Sequence, residues 1–174
     1  MALGYYTVGF TIHEASDLIT EDGNTCDPLI IVRCGDKEYR SSIKLDKMRS
    51  VSWEEHYMWC EMEMSTAQFE SATIRFEVES RHFFTRNYLI GTATVQLAMV
   101  RLRDNHLYSK KWIQILGGNA AECTGNLKVT VFAYSGEDSP PKPDTSLGDK
   151  DEMKLMLEDL RAAVIRAVLM SRGG

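Results

Sequence analysis

Thr73-Ile74-Arg75-Phe76-Glu77-Val78-Glu79 alternates apolar and polar residues without a break. In an extended chain this sends Ile74, Phe76 and Val78 to one face and their polar neighbours to the other. The same period of two governs Val8, Phe10 and Ile12, and again Leu127, Val129 and Val131. Working outward from these runs, the sequence predicts eight strands: Tyr5 to Glu14, Pro28 to Cys34, Glu38 to Leu45, Trp53 to Met62, Ala72 to Glu79, Leu89 to Gln96, Tyr108 to Ile115 and Gly125 to Ala133. Turn-rich stretches such as Glu21-Asp22-Gly23-Asn24 and Gly117-Gly118-Asn119 separate them, and Leu97 to Arg103 reads as a helical turn between the sixth and seventh strands. Short strands at this spacing predict an all-β antiparallel sandwich.

The pattern stops after Tyr134. Ser135-Gly136-Glu137-Asp138-Ser139-Pro140-Pro141-Lys142-Pro143-Asp144 has three prolines and no apolar side chain apart from them, so it cannot continue a sheet and reads as a linker. Asp149 with Glu152 then forms a capping-box pattern, and Met153, Met156, Leu157, Leu160, Val164 and Ala167 or Val168 recur at helical spacing up to Ser171. The organisation expected is a domain at 1–134, a Pro-rich linker at 135–148 and an amphipathic C-terminal helix at 149–171.

Composition fits one core plus a tail: 174 residues, 44% hydrophobic and 26% charged. A net charge of −5 disfavours nucleic acid as a partner, because any phosphate backbone would have to be met by a local basic patch. No apolar run approaches the roughly 20 residues that span a bilayer, and Met1 to Phe10 lacks the basic start and long apolar segment of a secretory signal. The expectation is a cytosolic chain, or one cut from something larger.

Chemistry is sparse. Cys26, Cys34, Cys60 and Cys123 form no CxxC pair, and His13, His56, His82 and His106 fall at no zinc-ligand spacing. Buried, reduced thiols and no metal or other cofactor are expected. Neither a GxSxG elbow, a Walker loop, an HExxH helix nor a GxGxxG turn occurs, so no enzyme activity is expected.

Ala15 to Val32 is the informative region. Leu18, Glu21, Gly23, Thr25, Asp27-Pro28 and Leu29-Ile30-Ile31-Val32 closely resemble the first strand, first loop and second strand of a C2 domain. Ser52-Trp53-Glu54-Glu55 with Tyr57 and Trp59 resembles the strand after that family's second loop. Leu89-Ile90-Gly91 resembles the entry to the strand after its third loop, and Lys111-Trp112 the start of its tryptophan strand. Within the family, Lys111-Trp112, Gly125-Asn126-Leu127-Lys128-Val129 and Gly136-Glu137-Asp138-Ser139-Pro140-Pro141 resemble the closing portion of ferlin C2 domains. The last stretch departs from the family's Gly-Asp-Glu-Pro-Pro order. Val32-Arg33-Cys34-Gly35, with Arg40 and Ile43, is similar to the second C2 domain of ferlins.

The resemblance implies an eight-stranded antiparallel C2 β-sandwich in the circularly shifted, ferlin-type topology. Ferlins are large, tail-anchored, multi-C2 proteins of vesicle traffic and membrane fusion, so it also implies a fragment or divergent relative, cytoplasmic and peripheral to a vesicle or plasma membrane. Three loops at one end of a C2 sandwich supply the aspartates that hold calcium. Here the corresponding positions carry Glu21, Asp27, Ser80, His82 and Tyr88. Calcium takes about six to eight oxygen ligands and its affinity follows their charge count, so two acids beside Arg81 and Arg86 imply a degenerate site that holds no ion. With no ion between them, Glu21 and Asp27 need a compensating cation, for which Arg81, Arg49 and His82 are the candidates.

Lipid contact is expected instead from Phe83 and Phe84 with Arg81 and Arg86, and from Lys47 and Arg49 on the neighbouring loop. The partner is then an anionic phospholipid membrane, bound weakly: two partly inserted rings and a few cations correspond to a dissociation constant of roughly 0.1 to 10 mM. This reading requires at least one of the two rings to be exposed in the free protein. A second basic cluster joins Arg40 and Lys44, which share a face of the predicted third strand, with Lys37, which precedes that strand. A competing reading makes the chain a protein-interaction module with no lipid contact, using the sheet face and the C-terminal helix for a protein partner or self-association.

Overall fold

The computed structural model describes residues 3–20, 25–45, 47, 49–82, 84–118 and 122–142. Eight antiparallel strands form: β1 (Leu3–Ser16), β2 (Pro28–Cys34), β3 (Lys37–Arg40), β4 (Val51–Ser65), β5 (Thr73–Ser80), β6 (Tyr88–Gln96), β7 (Leu107–Gly117) and β8 (Glu122–Ser135). Two short helices, α1 (Thr66–Ser71) and α2 (Leu97–Leu102), and a 3-10 turn (Asp104–His106) lie between strands. The strand order is β3-β2-β5-β6-β7-β8-β1-β4, with β6 and β7 joined through one residue pair, Thr92 and Leu116. The sheet folds there into two layers, and β1 lies between β8 and β4 in the second.

The alternating residues meet between the layers. Val8, Phe10 and Ile12 of β1, Ile74, Phe76 and Val78 of β5, and Leu127, Val129 and Val131 of β8 are all fully buried in one cluster. Phe10 sits at its centre, edge-on to Phe76 across the layers at 5.8 Å and beside Trp59 at 5.6 Å, the offset arrangements that aromatic quadrupoles favour. Burial pushes the Cys34 thiol up to about 11, so this core cysteine is a small, unreactive hydrophobe.

The outward face of the β1–β8 layer is also partly apolar. Phe132 is fully buried there with Leu107 and Tyr134, and Met58 and Cys60 pack on them. Its ring lies flat on Gly9, where any Cβ would overlap it. Glycine is required by that close approach.

Three local features differ from expectation. The third strand, expected over Glu38 to Leu45, ends at Arg40. The Ser41 hydroxyl accepts the Ile30 N–H at 2.8 Å and so replaces a ladder bond with a side-chain one, which turns the chain out of the sheet although the apolar alternation at Ile43 and Leu45 continues. Helix α1 was not expected. Its signal is a capping box in which Ser65 Oγ accepts the Gln68 N–H and the Gln68 side chain accepts the Ser65 N–H, and it buries Phe69. The proline-containing stretch begins as a docked segment. Gly136 N–H reaches Tyr5 O at 2.8 Å, and Pro141 is buried. The remainder of the expected linker, from residue 143, and the helix expected at 149–171 lie outside the described residues.

Candidate functional site

Three loops share one end of the sandwich: loop one (Asp17–Asp27) between β1 and β2, loop two (Ser41–Ser50) between β3 and β4, and loop three (Arg81–Asn87) between β5 and β6. Backbone hydrogen bonds join them. Cys26 and Lys47 exchange both of theirs, at 2.7 and 2.8 Å, and Leu18 N–H donates to Arg49 O at 3.1 Å. Arg81 N–H donates to Asp27 O at 3.0 Å, directly beyond the Pro28–Ser80 pair that ends the β2–β5 ladder. Loop one thus holds the other two through main-chain groups, independent of side-chain identity.

Glu21 and Phe83 lie outside the described residues. The remaining predicted site residues sort into two sets. Asp27 is paired: an Arg81 guanidinium nitrogen lies 3.6 Å from its carboxylate, with both side chains largely shielded. Of the three cations considered for compensating the acids, Arg81 therefore supplies one. Ser80 is buried, and Tyr88 is partly exposed at the start of β6. Among the described residues no three His, Cys, Asp or Glu side chains gather in a metal-binding group.

The second set faces outward. Phe84 is 99% exposed. It occupies the tip of a turn braced from within, where His82 Nδ1 lies 3.1 Å from Thr85 Oγ1 and His82 N–H donates to Asn87 Oδ1. Arg86 on the same turn, Lys47 and Arg49 on loop two are exposed too. Arg81 does not join them, since it is turned onto Asp27. Sequence reasoning missed three further apolar side chains at this end: Ile19 on loop one, Leu45 on loop two and Leu89 on β6, each more than half exposed. Leu45 and Leu89 continue an inward alternation by sequence, so their exposure follows only from where the ladders stop.

The expected basic strand face does not assemble. Lys37 and Arg40 belong to β3, but Lys44 lies beyond the strand end, with its N–H on Pro28 O. Arg40 is bound to Glu38 at 3.0 Å, and Arg33, on β2, bridges Glu38 and Glu77 at 3.2 Å each. Acids interleave with the cations, leaving a charge-balanced surface.

On the outer face of the second layer, His13 bridges Glu54 Oε2 (3.0 Å from Nδ1) and Thr130 Oγ1 (2.7 Å from Nε2). A hydroxyl, an imidazole and a carboxylate in line have the connectivity of a nucleophilic triad. Thr130 is 2% exposed, however, and its hydroxyl also accepts the Lys110 N–H, so the arrangement cross-links β1, β4, β7 and β8 with no room for a substrate.

A family model described as the C2 domain matches residues 6–115, which takes in all three loops and both layers. A protein named Ferlin 2 from Toxoplasma gondii is 40% identical over 160 residues, covering 92% of this chain and 11% of the relative. Ferlin 2 from Tetrahymena thermophila is 24% identical over 148 residues, covering 84% of this chain and 9% of the relative. The chain thus spans about a tenth of the length of each of these relatives. Among solved structures, the C2A and C2B domains of Extended-Synaptotagmin 2 match with a TM-score of 0.62 at 17% identity, over 76% of this chain and 42% of that one. The C2A domain of plant Extended Synaptotagmin 1 matches with a TM-score of 0.57 at 11% identity, over 81% of this chain and 98% of that one. At such identities these two speak for the fold alone. The family model, the sandwich and the sequence relatives converge: this chain belongs to the C2 domain family and is homologous to ferlin 2.

Proposed function

We propose that this C2 domain is a calcium-independent module of a ferlin-like protein acting in vesicle traffic or membrane fusion, and that it touches anionic phospholipid through its three-loop end. The placement of β1 between β8 and β4 agrees with a circularly shifted, ferlin-type order of strands. One observation carries the lipid reading: Phe84 stands almost wholly in solvent at the tip of a braced turn, with Arg86 exposed on the same turn and Lys47 and Arg49 exposed on loop two at the same end of the sandwich. A ring already in the core has no area left to transfer. Phe84 has nearly all of its own, and full transfer contributes about 1.5 to 3 kcal/mol. Each nearby cation adds about 1 kcal/mol at an anionic leaflet. Such contact is weak alone, and neighbouring modules in a longer chain would raise it through effective concentration.

Two features support calcium independence. Ser80 at the end of β5, His82 on loop three and Tyr88 at the start of β6 stand where the C2 resemblance places ligands, and Arg81 sets a guanidinium on Asp27.

The experiment is vesicle cosedimentation of the full chain and of Phe84→Ala, on anionic and neutral liposomes, with calcium and with chelator. The expected result is calcium-insensitive binding to anionic vesicles that Phe84→Ala weakens about 10- to 100-fold. Binding that requires calcium would overturn the calcium reading. Equal binding by parent and variant would remove the loop from the lipid contact, and the protein-partner reading would then lead.

A further inference from the structure

Strands β3 and β4 are the two free ends of the strand order, and folding the sheet into two layers brings them to the same side of the sandwich. Toward the loops their edges are clamped. Tyr39 stacks on Tyr57 with ring centroids 5.0 Å apart, the Tyr39 hydroxyl donates to Glu55 at 3.0 Å, and the Trp53 indole N–H donates to Ser42 O at 3.0 Å. Away from the loops the edges part around a cleft of about 720 Å³, walled by Asp36 and Lys37 where β2 turns into β3, by Glu61, Met62, Glu63 and Met64 of β4, and by α1. That volume is within the range of about 300 to 1,000 Å³ that ligand clefts occupy.

Four consecutive residues of β4 line this cleft, although successive side chains of a strand point to opposite faces. It is therefore the edge of β4 that borders the cleft, with main-chain groups that pair with β1 on the other side alone. Side-chain chemistry divides along that edge. Met62 is buried and Met64 packs on the core, whereas Glu61 and Glu63 are exposed. Among the described residues no cation forms a salt bridge with either glutamate. Across the cleft Asp36 and Lys37 offset one another, so the two glutamates set its sign. A bulge, where Cys60 and Glu61 stand opposite Thr7 alone, bounds the regular edge, so the strand that fits here is short. Four extended residues span about 13 Å.

We propose that this edge takes a short extended segment of a protein partner, added beside β4 as a further strand, with Lys or Arg at alternate positions. The main chain of such a segment bonds to the free edge, its basic side chains face Glu61 and Glu63, and its intervening apolar side chains lie against Met62 and Met64, whose flexible thioethers accept varied shapes. A second copy of this chain is disfavoured there, because it would bring the same carboxylates together. An anionic membrane is repelled for the same reason. Strand β4 starts at loop two and the cleft borders its other end, so occupancy does not depend on what the loops bind.

The probe is an end-blocked hexapeptide alternating lysine and valine, with two controls: glutamate in place of lysine, and the lysine peptide N-methylated at every amide, which keeps the charge and removes the main-chain donors. Amide NMR of the full chain follows the titration and locates it, with Glu61→Gln/Glu63→Gln as the variant. Both glutamates are exposed, so the core stays intact, and an unchanged melting temperature checks this. The lysine peptide is expected to shift the amides of residues 61–65 and slow their exchange. Either control peptide, or the variant, should weaken binding by about tenfold or more. No binding of the lysine peptide at about 1 mM would overturn the proposal. So would equal binding of the N-methylated peptide or by the variant, since the attraction would then be to the overall charge of the chain. A concentration-dependent dimer that protects the same amides without peptide would also overturn it, because a second copy would then cover the edge.

Discussion

Phe69 and Phe84 are the same side chain at opposite ends of the sandwich, with opposite fates. Phe69 is 2% exposed and stacked on Tyr6 with ring centroids 4.1 Å apart, whereas Phe84 is 99% exposed. Two Arg–Asp pairs divide the same way. Arg101 grips Asp138 with two nitrogens at the helical end, while Arg81 reaches Asp27 with a 3.6 Å contact at the loop end. The helical end turns its aromatic and ionic groups onto one another. The loop end fastens its backbone and turns part of its apolar surface outward, an arrangement that adds little to folding and leaves area for a binding partner.

Alanine at the two phenylalanines breaks this comparison most directly. Phe69→Ala should destabilise the domain by about 3 to 5 kcal/mol, the usual cost of a buried aromatic truncation. Phe84→Ala should change stability by less than about 0.5 kcal/mol, because its ring is already almost wholly in solvent. Urea denaturation of the two variants checks this, and similar losses in both would mean that the loop ring packs on the domain after all.

The ionic pairs differ in a way that pH reveals. The Arg101 guanidinium, with the Ser135 N–H, holds the Asp138 carboxyl down at about 2. A carboxyl depressed on folding contributes stability that is fully present above its unfolded value, near 4, and lost as pH falls from there toward about 2. After allowance for screening at the one-third-exposed guanidinium, the contribution is about 1 to 2 kcal/mol. Asp138→Asn should lower neutral-pH stability by that amount and converge with the parent near pH 2, as followed by thermal melts across the acid range. Parallel curves with no convergence would assign the loss to packing.

How much of this was legible in the sequence depends on the range of the signal. Ile74, Phe76 and Val78 declare their common face by themselves, because strand periodicity is local and the core must accept whatever side they share. The end of β3 was not legible, since the alternation through Ile43 and Leu45 is sound as a pattern and what stops the ladder is the Ser41 hydroxyl on Ile30, eleven residues away in sequence. Helix α1 carried a readable capping box at Ser65 and Gln68 that the preceding strand pattern masked. At the loop end, the C2 resemblance placed Asp27 at a ligand position and charge asked for a cation beside it, but the sequence left Arg81, Arg49 and His82 all as candidates; the contact of Arg81 with Asp27 is what the fold adds. The exposure of Ile19 and Leu89 did not follow, because it depends on where three separate loops end. The grip of Arg101 on Asp138 joins residues 37 apart and had no local signature at all.

The smallest expected effect concerns the loop-end pair, and it carries the calcium question. The Arg81 and Asp27 side chains are 30% and 19% exposed, with a guanidinium nitrogen 3.6 Å from the carboxylate, so their Coulomb attraction is weakened by solvent and by distance. Arg81→Gln should therefore cost less than about 1 kcal/mol. The difference should shrink further in about 0.5 M salt, where screening acts within a few ångströms. The backbone bond from Arg81 N–H to Asp27 O survives the substitution, so loop three should keep its place and Phe84 its exposure. Removing the guanidinium leaves Asp27 without that fixed charge, and the variant is the one in which calcium has most to gain. Titration to about 1 mM calcium should leave the parent's melting temperature unchanged, while any rise should appear in Arg81→Gln. A rise in the parent at micromolar calcium would show that its loops hold the ion despite Arg81, and the resident guanidinium could no longer be read as the metal's replacement.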